Sequence, residues 1–382
     1  MSDTTGTQSG SHLSASAQDR LTSITSHLRP SSTGKKYKVV VTRDLGPDVM
    51  PLLLERPELD VVVWPEDRGC DRQWFLENIK GATGALVMLS EKINDETLDA
   101  AGPSLRVVST MSVGYDHVDL RAISSRGVRL GHTPDVLTDA VADVSIMLAL
   151  MAGRNAKETT KIVQNGEWPT FTWAPFSFCG PQISSNWIHS TRTVGFIGFG
   201  RIAQATLARL IPFGYTHCLY TGNPNSTSSS SDATAAAVKA KFPTLQAVRR
   251  VSLEELAKES DVVFVLAPGG ESTHHIVNEA FLKNMKKTAV LVNTSRGTLV
   301  DSDALAKALR EGWLWGAGLD VVEGEPNVGA DHPLVREKRC VVLPHIGSAT
   351  TESRLGMATL AAKNLLAGVF GEAMPAELQL KK

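Results

Sequence analysis

Cysteine is scarce, and the four cysteines (Cys70, Cys179, Cys218, Cys340) are scattered without the spacing of a metal site. This usage is typical of reduced thiols in a reducing compartment. No apolar run reaches the roughly 18 residues that a transmembrane helix needs. Basic residues are dispersed, and the formal net charge of the 382 residues is -1. These absences argue against membrane and nucleic-acid partners, and they predict that the protein holds no metal.

Apolar periodicity is also missing from residues 1–34, which are rich in Ser and Thr. Such a segment buries too little apolar surface to fold, so we expect a disordered tail. The alternative is a mitochondrial transit peptide, but the acidic Asp3 and Asp19 accompany Arg20 and Arg29 and no Arg-rich amphipathic helix is evident. We therefore expect a cytoplasmic protein, with a mitochondrial location as the alternative.

The rest of the chain alternates predicted strands with predicted helices. Its 42% apolar residues and its length allow about two globular domains. Alternation of this kind predicts parallel sheets covered by helices, so we expect an α/β fold with a doubly wound second half. The predicted strands cover residues 37–41, 61–64, 84–89 and 106–110 in the first half, and 217–220, 262–266, 289–293, 316–320 and 340–343 in the second.

A glycine-rich turn separates the two halves. The apolar strand that ends at Ile197 runs into Gly198-x-Gly200-x-x-Ala203, where a helix is predicted to begin. Gly198 permits the tight turn, Gly200 lets the backbone approach a pyrophosphate, and Ala203 lets the helix pack closely. The free N–H groups of the helix N-terminus would bind phosphate. A turn without a ligand is the alternative, but the strand before it and the helix after it favour a dinucleotide site.

Two apolar segments precede this turn. A helix that is apolar nearly all round is predicted from Thr138 to about Asn165, and it must be buried between domains or between subunits. The aromatic segment 168–176 either packs as an ordinary loop or forms an arm that closes a dimer. Together they have more apolar surface than one Rossmann unit easily covers, so we expect a homodimer.

The sequence also predicts the structure of two segments after the turn. The Ser-rich stretch 225–232 has low complexity and is expected to be a mobile loop. A helix over residues 352–368 is expected to pack on the first domain.

Polar side chains follow three predicted strands of the second half. Arg296 could simply pair with a surface carboxylate, Glu325 could be a solvated turn residue, and His345 could be a satisfied core histidine. A doubly wound sheet, however, binds ligands beyond the carboxyl ends of its strands. Together these residues supply a cation, a carboxylate and an imidazole, the set that reduction of a 2-oxo acid requires.

Several motifs in a fixed order give the chain a family resemblance. It resembles the D-isomer-specific 2-hydroxyacid dehydrogenases from about residue 36 to near the C-terminus, and most of all their glyoxylate reductase/hydroxypyruvate reductase branch. The motifs are Ser109-Thr110-Met111-Ser112-Val113-Gly114-Tyr115-Asp116-His117, Gly131-His132-Thr133-Pro134-Asp135-Val136-Leu137-Thr138-Asp139, Tyr220-Thr221-Gly222, Asn293-Thr294-Ser295-Arg296-Gly297, Ala317-Gly318-Leu319-Asp320-Val321 and Leu343-Pro344-His345-Ile346-Gly347-Ser348-Ala349-Thr350.

The resemblance implies two Rossmann-like, doubly wound parallel-sheet domains with the active site in the cleft between them. Residues 35–137 and 338–382 would form a split substrate domain, and residues 138–337 would form the dinucleotide-binding domain. The activity it implies is NAD(P)H-dependent reduction of a small-molecule 2-oxo acid, from glyoxylate to glycolate or from hydroxypyruvate to D-glycerate.

The resemblance also implies a role for each site residue. His345 would donate the proton, Glu325 would keep its imidazolium favourable, and Arg296 would hold the substrate carboxylate and polarise the carbonyl. Besides Arg296, the implied substrate-binding residues are Leu89, Val113, Gly114 and Trp173. The implied cofactor-binding residues are Thr138, Gly198, Gly200, Arg201, Ile202, Thr221, Asn223, Pro268, Thr294, Ser295, Asp320, His345 and Ser348, with Asp320 orienting the nicotinamide amide.

The cofactor preference depends on the residues just after Tyr220. An NAD-specific unit carries Asp or Glu there, about 20 residues after the first Gly, but this chain has no acid at that point. Thr221, Asn223 and Ser226 can instead donate hydrogen bonds to a 2′-phosphate. We expect a modest preference for NADP over NAD, because Asn223 stands where the resembled branch carries an arginine and no charge-assisted pair is available in this stretch.

Two other functions stay open at this point. The chain could act on another acid, such as phosphoglycerate or D-lactate, although Glu325 argues against a formate enzyme, whose pattern resembles Gln there. It could also be a dinucleotide-sensing binding protein similar to the corepressors of the family, which keep the same three residues. Turnover of 2-oxo acids separates the enzyme from the sensor.

Overall fold

The computed structural model describes residues 36–222 and 228–380. The expected disordered tail lies outside these ranges, and so do Asn223 and Ser226. Within them, no helix has both the length and the apolar character needed to cross a membrane. Two wholly parallel sheets organise the described residues, as alternating strands and helices predict.

The first sheet has five strands in the order β2-β1-β3-β4-β5. All of its neighbours are parallel, and the middle strands are buried on both faces, which explains their continuous apolar runs. Its strands are β1 (Tyr37–Val41), β2 (Leu59–Val63), β3 (Gly84–Val87), β4 (Val107–Thr110) and β5 (Arg129–Gly131), and its helices are α1 (Pro51–Leu54), α2 (Arg72–Asn78), α3 (Asp95–Ala101) and α4 (Leu120–Ser125).

The second sheet has seven strands in the order β12-β11-β10-β9-β6-β7-β8. Strand order reverses beside β6, and such a switch point is where doubly wound sheets bind ligands. Its strands are β6 (Arg192–Ile197), β7 (Tyr215–Thr221), β8 (Ala247–Arg250), β9 (Val262–Val265), β10 (Val290–Asn293), β11 (Gly316–Leu319) and β12 (Cys340–Val342). Its helices are α5 (Thr138–Gly153), α6 (Ala156–Gln164), α7 (Arg201–Leu210), α8 (Ser228–Lys241), α9 (Leu253–Glu259), α10 (Glu279–Lys283), α11 (Ser302–Glu311) and α12 (Pro333–Arg336). The two sheets confirm the predicted fold class.

The long apolar helix differs from its prediction. It is two helices, because the chain turns at Asn155, whose φ of 52° is left-handed. Helix α5 lies on the second sheet so closely that a Cβ on Gly318 would come within 2.7 Å of the Leu148 carbonyl oxygen. Burial of α5 against this sheet accounts for its apolar residues, and the exposed Asp139 and Asp143 of α5 pair with Arg209.

The last helix, α13 (Thr351–Phe370), returns to the first sheet, as predicted. Ser109 Oγ donates to the Ala361 carbonyl oxygen at 2.8 Å. A Cβ on Gly84 would lie 2.7 Å from Leu365, and one on Gly131 would lie 2.7 Å from Asn364, so both strands need glycine where the helix crosses them.

Three local expectations need adjustment. β12 pairs with β11 in the second sheet, although the predicted boundary at residue 338 assigned it to the substrate domain. We therefore propose that this boundary follows β12. A helix begins at Ser228, where a mobile loop was expected. The prediction also missed β5 and β8, because β5 has only three residues and β8 contains two charged ones.

Candidate active site

Three loops at one edge of the second sheet carry the predicted catalytic side chains. The strands β10, β11 and β12 are parallel neighbours, so their carboxyl ends meet at this edge. Arg296 follows β10, Glu325 follows β11, and His345 follows β12. The fold therefore gathers three residues that are well separated in the chain.

His345 and Glu325 form a hydrogen-bonded pair. Nδ1 of His345 lies 3.0 Å from Oε1 of Glu325, and the two side chains are 30% and 27% exposed. The residue His345 has a left-handed φ of 54°, and its N–H donates to the Asp320 carbonyl oxygen at 2.9 Å. Because Nδ1 faces the carboxylate, Nε2 is the nitrogen left for a substrate.

Asp320 anchors the loop that carries His345. Its side chain is buried, and its two carboxylate oxygens accept the N–H groups of Ile346 at 2.8 Å and Gly347 at 2.7 Å. Burial raises the pKa of Asp320, although these two hydrogen bonds oppose the change. The carboxylate thus fixes the backbone at His345, and its expected contact with the nicotinamide amide stays a prediction.

Arg296 reaches across to the first sheet. Its Nε donates to Oδ1 of Asp116 at 2.9 Å, and its Nη1 donates to the Ser295 carbonyl oxygen at 2.8 Å. Burial pushes the pKa of Asp116 up, but the charge and hydrogen bond of Arg296 bring it below its ordinary value. This ion pair joins the loop after β4 to the loop after β10.

The remaining nitrogen of the guanidinium points at Gly114. A Cβ on Gly114 would overlap Nη2 of Arg296, so this close approach requires glycine. Ser112 Oγ donates to the Gly114 carbonyl oxygen at 2.6 Å and lies 2.8 Å from Thr110 Oγ1. The backbone expected to receive a substrate carboxylate therefore lies beside the expected cation, in a loop held by its own hydroxyl groups.

The glycine-rich turn has the geometry that a dinucleotide needs. Gly198 has a φ of 85°, and a Cβ there would lie 2.7 Å from the Ala267 backbone. A Cβ on Gly200 would meet nothing within 4 Å, so open space lies beside the start of α7. Ala203 is fully buried under the helix. A phosphate group fits this space, beside the free N–H groups of α7.

The other predicted cofactor residues occupy the same edge of the sheet or its rim. Thr221 Oγ1 accepts the Gly198 N–H at 3.3 Å, and Arg201 Nε pairs with Asp135 Oδ1 at 2.9 Å. Ile202 packs against the apolar cluster that contains Val113. Thr138 begins α5, Pro268 follows β9, Thr294 Oγ1 lies 2.8 Å from Ser145 Oγ, Ser295 Oγ donates to Asn293 Oδ1, and Ser348 follows His345.

Two expected substrate-binding residues are solvent-exposed in this single chain. Leu89 follows β3 and is 45% exposed, and Trp173 is 76% exposed within the aromatic segment. The predicted contact of Trp173 with a neighbouring subunit stays a prediction.

Sequence reasoning missed three charged or titratable residues around the site. Asp116 and His117 lie within one of the family motifs but received no role. Arg250 ends β8, and a Cβ on Gly222 would lie 3.2 Å from its guanidinium carbon, so it places a cation beside the end of β7. The Arg249-Arg250 pair before Val251 is the signal that would have pointed to it.

Comparison with known proteins is consistent with this geometry. The family model for the D-isomer specific 2-hydroxyacid dehydrogenase NAD binding domain matches residues 146–347. A human glyoxylate reductase/hydroxypyruvate reductase is 42% identical over 343 residues, which cover 90% of this chain and 98% of the relative. Glyoxylate reductase from Thermococcus gammatolerans is 40% identical over 342 residues, which are 89% of this chain and 95% of that protein.

The fold is similar to that of a solved structure. The NADPH-dependent glyoxylate/hydroxypyruvate reductase of Sinorhizobium meliloti, in complex with NADP and malonate, is 29% identical and has a TM-score of 0.69. The match covers 90% of this chain and 97% of that one.

Proposed function

The chain belongs to the D-isomer specific 2-hydroxyacid dehydrogenase family, and from this premise we propose that it reduces glyoxylate and hydroxypyruvate with a reduced nicotinamide dinucleotide. The products are glycolate and D-glycerate. One observation carries the proposal: the imidazole of His345, bonded to Glu325, shares a sheet edge with a guanidinium that faces the Gly114 backbone. This is a proton donor beside a carboxylate-binding site.

The proposed reaction consumes one 2-oxo acid, one reduced cofactor and one proton. A bound nicotinamide would supply the hydride that the 2-oxo carbon receives. His345, as imidazolium, gives the Nε2 proton to the carbonyl oxygen, which becomes the hydroxyl of the product. The neutral imidazole then regains a proton from solvent, since its side chain is partly exposed. Glu325 stabilises the charged form through the Nδ1 hydrogen bond.

Arg296 would orient the substrate for this step. Asp116 and Ser295 hold two of its three nitrogens, which directs Nη2 toward the Val113-Gly114 backbone. A substrate carboxylate bound there would accept hydrogen bonds from both the guanidinium and the backbone. Its carbonyl oxygen would then lie near the cation, which stabilises the charge that develops on that oxygen.

A panel of 2-oxo acids, assayed with NADPH and with NADH, tests the proposed reaction. We expect turnover of glyoxylate and hydroxypyruvate. Faster reduction of phosphohydroxypyruvate or pyruvate would indicate the sister enzymes that act on phosphoglycerate or D-lactate. Tight dinucleotide binding with negligible turnover would instead indicate a sensor.

We also propose that NADPH is preferred. Support comes from the missing acid after β7 and from the Arg250 guanidinium beside Gly222. A cation there favours a 2′-phosphate. The Arg250→Ala variant should raise the KM for NADPH and leave the KM for NADH nearly unchanged. Arg249→Ala is the matched control, because Arg249 pairs with Glu255 and Glu259. A wild-type enzyme more efficient with NADH would contradict the preference.

We also propose that the enzyme is a homodimer. Its proposed location is the cytoplasm, with the mitochondrion as the alternative. The side chains of Trp173, Phe176 and Trp187 are 76%, 89% and 91% exposed, a concentration of apolar surface that a partner subunit would cover. Sedimentation at low micromolar concentration should show a dimer. A monomer under these conditions would contradict the proposal.

A further inference from the structure

Three side chains with metal-binding atoms lie together next to the catalytic loops. His274, His275 and Glu323 each offer one ligand atom, and these atoms lie within 4.8 Å of one another. The scattered cysteines predicted no metal, but this group consists of two imidazoles and a carboxylate brought together by folding. None of the three belongs to the proposed set of catalytic residues.

Two of the three side chains are already held in place. His275 Nε2 lies 2.6 Å from Glu323 Oε1, and the other carboxylate oxygen of Glu323 accepts the Ser302 N–H at 3.1 Å. His275 has a left-handed φ of 48°, and its N–H donates to the Thr298 carbonyl oxygen at 2.9 Å. The positions of these two side chains are therefore fixed before an ion binds, which favours affinity.

The third side chain is free to adjust. His274 is exposed, and its ring stacks on that of His275 with centroids 3.9 Å apart. Zinc binds imidazole and carboxylate at about 2.0–2.2 Å, which puts tetrahedral ligand atoms roughly 3.4 Å apart. Rotation of the exposed His274 ring would bring its ligand atom closer to the other two, which now lie within 4.8 Å of it. His275 Nε2 and Glu323 Oε1 would move apart from 2.6 Å as the ion replaces the proton between them.

The donor set selects a class of ion. Two histidines and one glutamate leave a fourth position for water, an arrangement that zinc accepts. Imidazole ligands favour zinc, nickel and copper, whereas magnesium and calcium prefer oxygen ligands throughout. Asp301 Oδ2 lies 3.9 Å from His275 Nδ1, the other ring nitrogen, and adds a negative charge beside the group.

The cluster of His274, His275 and Glu323 lies beside two loops of the candidate active site. Glu323 lies two residues before Glu325, and a Cβ on Gly297, next to Arg296, would overlap the Val322 backbone. The loops that carry Arg296 and Glu325 are thus in direct contact beside the cluster. We propose that His274, His275 and Glu323 bind one zinc ion or a similar divalent transition-metal ion, which joins the loop after β9 to the loop that carries Glu325.

Calorimetric titration of the full chain with zinc chloride tests this site. All proteins should carry Cys179→Ser, because the exposed thiol of Cys179 could bind zinc by itself. We expect saturable binding of one equivalent, with His274→Ala weakening it at least tenfold. His274 is exposed, so this variant should fold normally, which circular dichroism would verify. His189→Ala is the matched control, since His189 is also exposed but lies outside the cluster.

Two further measurements make the outcome decisive. Zinc should raise the midpoint of thermal unfolding in the parent protein but not in the His274→Ala variant, because the ion binds the folded state. Cobalt should give the intense visible absorption of a four-coordinate site, whereas magnesium should produce no heat of binding. Absence of one-equivalent binding, or equal weakening by His189→Ala, would overturn the site. Neither readout depends on turnover, so failure here would leave the proposed reaction untouched.

Discussion

The two sheets contribute unlike groups to the same cleft. The second sheet supplies Arg296, Glu325 and His345, whereas the first supplies the Val113-Gly114 backbone and the carboxylate of Asp116. In the proposed reaction the second sheet would carry both the proton donor and the substrate-binding cation. The first sheet would hold that cation in place through Asp116 and would offer its backbone to the substrate carboxylate.

Two histidines illustrate the same difference. His345 is partly exposed, and its Nδ1 lies 3.0 Å from the Glu325 carboxylate. On the other side, burial lowers the pKa of His117 to about 4; Asp116 opposes this and Arg296 adds to it. His117 Nε2 lies 2.9 Å from Thr110 Oγ1, so a neutral ring holds the loop. The same type of side chain is proposed to act in the reaction at His345 and holds a loop at His117.

The largest expected effect is on kcat, for a variant of the second sheet. His345→Ala should lower kcat by a factor of about 10² or more, because proton delivery is lost. Dinucleotide affinity, measured by fluorescence titration, should stay near the wild-type value because the glycine-rich turn is untouched. Near-normal turnover would show that His345 is not the proton donor.

On the other side, Gly114→Ala should cost about 10² in kcat/KM, since the added methyl group displaces the Arg296 guanidinium. Steady-state kinetics with hydroxypyruvate would measure the loss. Gly200→Ala is the control for an added methyl group, because a Cβ there meets no neighbour within 4 Å of this chain and should affect dinucleotide binding instead. Unchanged kinetics in Gly114→Ala would mean that Arg296 does not act from its observed position.

Glu325→Gln should lower kcat about tenfold. The amide replaces the charge-assisted hydrogen bond to His345 Nδ1 with a neutral one, and a tenfold loss corresponds to roughly 1.4 kcal/mol of transition-state stabilisation. Steady-state kinetics with hydroxypyruvate would measure the change. A kcat equal to that of the wild type would make Glu325 an ordinary turn residue.

A smaller effect is expected for Asp116→Asn. Asparagine keeps an oxygen near Arg296 Nε but removes the charge, so the guanidinium should be less firmly oriented. We expect the KM for hydroxypyruvate to rise about threefold to tenfold, with kcat changed less. Restoration by Asp116→Glu would support an electrostatic role. A fall in kcat as large as that of His345→Ala would assign chemistry to the first sheet.

The smallest effect concerns stability and not turnover. His117 has a folded-state pKa of about 4, below the ordinary 6.5, so its unfolded form binds the proton more readily. The stability that neutral His117 provides is complete above pH 6.5 and is lost as pH falls toward 4, by about 3 kcal/mol. Calorimetry of His117→Gln should show a flatter decline of Tm over this range. His189→Gln, at an exposed position, should decline like the wild type.

Much of this arrangement could be predicted from the sequence because the middle strands are short, apolar and buried on both faces. The strand Tyr37–Val41 has the predicted bounds. Periodicity cannot find an edge strand such as β8, whose Arg249 faces solvent and pairs with glutamates, or show that Asn155 turns the chain between two helices.

The candidate site could also be predicted only in part. Strand ends located Arg296, Glu325 and His345, since a parallel sheet must bring those ends to one edge. The partners of these residues were not predictable from spacing. Asp116 meets Arg296 only because the two sheets face each other, and Arg250 reaches Gly222 only through the pairing of β7 with β8. Contacts between distant segments need the assembled fold.

The return of α13 to the first sheet has a consequence for synthesis. The five strands of that sheet leave the ribosome about 220 residues before the helix that covers Gly84 and Gly131. At a synthesis rate of roughly 5–20 residues per second, the face of the sheet that α13 covers stays exposed for on the order of ten seconds or more. The nascent first half is therefore expected to depend on chaperones, and ribosome stalling between β5 and α13 should promote aggregation more than stalling afterwards.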